Sequence, residues 1–101
     1  MPPTDPDALV PLRVSEGWTI SYNAFRAGDL KGNLLQANHT RRNRMLDLGW
    51  RPENDPTGAY ALVVYVGDFT GPCLYGRNHK RLDELIIDIE RLFEAVTRGE
   101  L

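Results

Sequence analysis

One hundred and one residues are the length of one domain, enough to bury roughly 65% of the unfolded surface in one core without staples. A formal net charge of −2, from 12 basic and 14 acidic residues, sets no strong field and argues against a general polyanion binder, though not against a local basic patch. The single cysteine, Cys73, excludes an intrachain disulfide and fits a reducing cytosol, and no run approaches the ~18 apolar residues of a membrane span.

The opening Met1-Pro2-Pro3-Thr4-Asp5-Pro6-Asp7 has neither the basic start nor the apolar stretch of a secretory signal, so a cytoplasmic protein is expected. Its prolines and aspartates leave almost nothing to bury, which predicts a flexible tail over residues 1–9 and a single domain over 10–101. Val10, Leu12 and Val14 alternate with Pro11 and Arg13 as a short edge strand, where a proline lacking a donor is tolerated. Gly17 opens a clearer strand, with Trp18, Ile20, Tyr22 and Ala24 on one face and Thr19, Ser21, Asn23 and Phe25 on the other. The second face is mostly polar, so this strand is expected to be half exposed, with Phe25 turning inward near its end. Residues 26–40 are the least legible. Asp29 is placed to cap a short helix carrying Leu30, Leu34 and Leu35, although Gly32 inside it costs roughly 1 kcal/mol of helix propensity.

Two apolar runs, 45–51 and 59–66, flank Pro52-Glu53-Asn54-Asp55-Pro56-Thr57-Gly58 and predict antiparallel strands around a long, ordered turn. Leu46, Leu48 and Trp50 share one face of the first. The second is apolar on both faces, which predicts an inner strand covered on both sides. Gly67-Asp68-Phe69-Thr70-Gly71-Pro72 is a turn, Cys73-Leu74-Tyr75 a further short strand, and Asn78 a candidate helix cap. Leu82, Leu85, Ile86, Ile89, Leu92, Phe93 and Val96 keep the three-and-four spacing of one helical face, ended by Gly99. At ~1.5 to 3 kcal/mol per fully buried side chain, that stripe must pack on the sheet. The expected fold is therefore α+β: an antiparallel meander of about four strands with a long C-terminal helix on one face.

Chemistry is sparse. His39, His79 and Cys73 lack the paired short spacing of a metal site and any adjacent base, so structural or surface roles are expected, with no catalytic, cofactor-binding or metal residues. No glycine-rich phosphate loop occurs. Arg41, Arg42, Arg44 and Arg51, with His39 and Trp50 nearby, suit phosphate contact and base stacking. They suit a protein interface equally well, and also a solvated loop whose charges pair with Asp47, Glu53 and Asp55. Glu53 and Asp55 make the long turn either an acidic docking tip or a plain turn. The polar face of Thr19, Ser21 and Asn23 is a further place for a partner, or for water.

The run Asn43-Arg44-Met45-Leu46-Asp47-Leu48-Gly49-Trp50-Arg51-Pro52-Glu53, followed by Asp55-Pro56-Thr57-Gly58, resembles small bacterial proteins of the toxin-immunity kind. With the element order, the resemblance spans about residues 17 to 97. It implies a non-catalytic α+β protein that neutralises a partner toxin by binding it. The expected function is thus a cytoplasmic protein-binding domain with Arg41, Arg42, Arg44, Trp50, Arg51, Glu53 and Asp55 as partner-binding candidates and no cofactor. The alternative is a small nucleic-acid-binding accessory domain using the basic cluster of Arg41 to Arg51. Homodimerisation through an edge strand stays open.

Overall fold

The two apolar runs on either side of the 52–58 turn set the centre of the sheet. In a computed structural model of the protein, residues 8–101 are described, so the tail expected over 1–9 lies outside them but for its last two positions. Five strands run in chain order across one antiparallel sheet: β1 (Trp18–Asn23), β2 (Leu35–His39), β3 (Arg44–Arg51), β4 (Ala59–Val66) and β5 (Cys73–His79). Helix α1 (Leu82–Thr97) follows and packs on one face. The α+β meander is as expected, with five strands rather than about four.

Register decides which side chains meet the helix. Leu46, Leu48 and Trp50 stand opposite Val64, Leu62 and Tyr60, and Ala37 and Leu35 stand opposite Leu46 and Leu48. These residues are buried with Leu85, Ile89, Leu92 and Phe93 in one core, to which the loops add Val10, Phe25 and Leu34. Most of the helical stripe read from the sequence is buried; Leu82 and Ile86 are half-buried at its margin.

The differences have local causes. The expected short helix around Leu30–Leu35 is a loop leading into β2, whose buried Leu35, Ala37 and His39 alternate with half-buried Gln36 and Asn38. Pairing with the apolar face of β3 outweighs a helical register that Gly32 and Asn33 already weaken. Residues 10–14 are not a strand: Leu9 bridges Arg26, and the Val10 N–H donates to the Phe25 carbonyl at 2.8 Å. A bulge between Ile20 and Tyr22 puts Ile20 opposite core-facing Ala37 but Tyr22 opposite Gln36, so Tyr22 leaves the face of Trp18 and Ile20. Asn78 lies within β5, opposite Ala61, and the residue preceding α1 is Arg81, which makes no side-chain cap bond. Finally, β4 is covered on one side only; Ala61, Val63 and Tyr65 on its other side are half-buried.

Candidate functional site

The seven residues singled out in the sequence do not form one patch. Strand β3 separates Arg41, Arg42 and Arg44 from Trp50, Arg51, Glu53 and Asp55 by seven steps, roughly 23 Å. At the first end, Arg42 Nη2 donates to the Thr97 carbonyl at 3.1 Å and Arg44 Nε to the Leu101 carbonyl at 3.2 Å. The Arg42 guanidinium thus sits where a helix C-terminus attracts positive charge, while Arg44 ties down the segment beyond the helix. Arg41 is exposed. At the other end, Trp50 is only 6% exposed, packs edge-to-face on Tyr60 at 4.9 Å, and donates its indole N–H to the Asp55 carbonyl at 2.6 Å. Trp50 is therefore core, and leaves the proposed surface. Arg51 donates to the Gly32 carbonyl while Glu53 accepts the Gly32 N–H at 3.2 Å, so the two clamp the loop before β2. The Asp55 carboxylate accepts from the Thr57 N–H and hydroxyl, and those bonds hold it below the usual carboxylate range.

His39 and His79 stand at opposite ends of the sheet, opposite Arg44 and Tyr60 respectively. The Nδ1 atom of His39 accepts the Arg42 N–H at 3.2 Å, which leaves Nε2 to donate to the Glu16 carbonyl at 3.2 Å. Both ring nitrogens are thereby used in holding the chain together. Cys73 is exposed.

Sequence patterning missed a buried polar knot between β5 and α1. His79 Nε2 lies 2.8 Å from Asp88 Oδ2, the Tyr75 hydroxyl donates to the same oxygen, and Arg91 Nη2 donates to Oδ1 at 2.7 Å. Burial raises the Asp88 pKa, but these hydrogen bonds outweigh it and hold the carboxyl below its usual value. Burial and the bond to Asp88 push the Tyr75 phenol up. One signal was present. Asp88 is three residues after Leu85 and four before Leu92, inside the apolar stripe, with Arg91 one turn on. The knot borders a cavity of about 290 Å³ lined by Arg77, Glu84 and Ile87 as well. Both carboxylate oxygens of Asp88 have partners, which suits pinning the helix to an edge strand.

The uncovered face of the sheet offers more to a partner. Across its middle run Tyr22, Gln36, Asp47, Val63 and Gly76, and beside them Thr19, Asn38, Met45, Tyr65 and Cys73. The β3–β4 part is apolar, and Tyr65 carries Phe69, 54% exposed, against its ring at 5.7 Å. The β1–β2 part is polar, with Asn38 Nδ2 donating to Ser21 Oγ at 3.0 Å. Between them lies Asp47, 7% exposed, with an Oδ1 atom that has no hydrogen-bond partner among the described residues. Burial pushes this carboxyl above the usual range, against the opposing pull of the Arg51 charge and a bond from Gln36. A buried acceptor left unmade costs about 1–3 kcal/mol, more when charged. Gly49 shows how closely a loop approaches this face. A Cβ there would lie 1.9 Å from the Gly32 carbonyl oxygen, so only glycine fits. No family model, curated protein or solved structure matches the chain.

Proposed function

We propose that the chain is a non-catalytic, cytoplasmic protein-binding domain of the immunity type, which neutralises a partner toxin by holding it on the uncovered face of the sheet. The observation that carries this reading is Asp47: a buried carboxylate with an unmet oxygen, on the face of the sheet turned away from α1, beside half-buried Ala61, Val63 and Tyr65. Buried acceptors in native proteins are nearly always met, by the chain itself, by water or by a partner, and a partner on this face would meet this one. The nucleic-acid alternative draws less support. Arg42, Arg44 and Arg51 are tied to backbone carbonyls at two ends of β3, so these three do not form one continuous basic track. No helix among the described residues is long and apolar enough to cross a membrane.

A photocrosslinking residue in place of Val63 tests the reading, with the same residue in place of Glu94 on the exposed side of α1 as control. The expected result is one covalent protein adduct at position 63 and none at 94. The captured protein, purified, then binds the wild-type chain and binds Tyr65→Lys at least tenfold more weakly. Adducts at 94 alone, or unchanged binding by Tyr65→Lys, would sink the proposal.

A further inference from the structure

We infer that the partner inserts an arginine against Asp47, stacked beside Tyr65 or Tyr22 on the uncovered face; this rests on the docking reading above and specifies its central contact. The first support is the unmet oxygen. Asp47 alternates with Leu46 and Leu48, which face the core, so its carboxylate faces the open side, opposite Gln36 on β2 and Val63 on β4. An ionised carboxylate offers about four acceptor sites; Gln36 bonds the carboxyl, and Oδ1 is left unpartnered.

Arg51, whose charge acts on Asp47, makes its hydrogen bonds elsewhere. Arg51 is the residue on this face of β3 that carries charge of the right sign, four positions along from Asp47. Its Nη1 is bonded to the Gly32 and Trp50 carbonyls, and the Gly32 backbone passes over Gly49, between the two. Arg51 thus supplies charge but no hydrogen bond to Oδ1, and that bond is assigned to the partner. A second copy of this chain is a poor source. A two-fold interface sets the same patch against itself, and the basic residue of β3 on this face, Arg51, is already bonded to the Gly32 and Trp50 carbonyls.

The surroundings select the type of donor. Val63 and Tyr65, both half-buried, offer apolar surface to the methylene stem of a long basic side chain. Tyr22 and Tyr65 offer aromatic faces, on which a guanidinium stacks while its fork bonds a carboxylate. Charge-assisted bonds of this kind are about twice as strong as neutral ones. Arginine meets all three conditions with one side chain.

A library of random 12-residue peptides displayed on phage is the probe, selected against the purified chain and, in parallel, against Asp47→Asn and Asp47→Leu. Both variants remove the unmet charge without opening the core, and a melt at or above the wild-type temperature confirms that each is folded. Peptides selected on the wild type should share an arginine between apolar residues and shift the backbone amides of Asp47, Val63 and Tyr65. They should bind both variants at least tenfold more weakly, and replacing that arginine by citrulline, which keeps the shape and removes the charge, should cost as much. Peptides that shift those amides but lack arginine, or bind the variants equally well, overturn the inference and leave the docking reading standing. Peptides that never touch those amides overturn both. Concentration-dependent self-association of the wild type that buries the same amides assigns the face to a second copy, and also overturns the inference.

Discussion

Asp47 and Asp88 are both buried, and their surroundings drive them in opposite directions. Asp88 receives donors from Tyr75, His79 and Arg91, so its folded-state pKa lies below the unfolded value. Its contribution to stability is fully present above the ordinary aspartate value of about 3.9 and fades as pH falls toward the folded pKa. Asp88→Asn should therefore cost about 2 to 3 kcal/mol at pH 7, read by urea unfolding, since it strips charge from three hydrogen bonds and leaves Arg91 without its anion. Asp47 works the other way. Its folded pKa is raised, so the folded state holds the proton more tightly, and a penalty appears as pH rises through that pKa. Asp47→Asn should stabilise the free protein by up to about 1 kcal/mol at pH 7. The gain should shrink as pH falls below the raised pKa and vanish below about 3.9, where Asp47 is protonated in the unfolded chain as well; a gain that persisted there would refute this account.

At the scale of elements, α1 is held at both ends by residues outside it. The knot fixes its first half to β5, while Arg42 and Arg44 reach the Thr97 and Leu101 carbonyls at the other end, where the helix's own last turn has no basic residue. Arg42→Ala combined with Arg44→Ala should lower stability by roughly 1 kcal/mol, a small drop in Tm that rising salt diminishes. Helix α1 and the pair β3–β4 were legible because their apolar spacing runs long enough to fix the period. Strand β2 was not, since five residues of mixed polarity behind adjacent leucines fit a helical turn as well as a strand, and only the partner strand decides. The arginines looked like one cluster because sequence distance ignores the length of an extended strand. The knot was hidden for a related reason: a charged residue on a helix reads as solvent-facing unless its apolar neighbours on both sides are counted. The unmet oxygen of Asp47 could be seen only once the sheet's open side was known.

For the molecule as a whole, the proposal depends on the two faces of β4 being unlike. Adjacent residues on a strand point to opposite sides, so Val63 and Val64 test them one step apart. Val64 is fully buried, opposite Leu46 and Tyr75. A charge placed there has no partner, and Val64→Lys, like Val64→Asp, should cost at least about 4 kcal/mol. That approaches the whole stability of a small domain, about 5–15 kcal/mol, so neither variant should show a cooperative melt near the wild-type temperature. Val63 is the direct cross-strand neighbour of Asp47 on the open side. Facing side chains there start about 5 Å apart, so Val63→Lys sets an ammonium within reach of the unmet carboxylate oxygen. That variant should melt cooperatively at or above the wild-type temperature, because it supplies from within the cation assigned to the partner. It should equally lose the arginine-bearing peptides selected by the wild type, its own lysine now occupying their place. A folded Val64→Lys, or an unfolded Val63→Lys, would show that the helix-covered and open faces have been assigned the wrong way round.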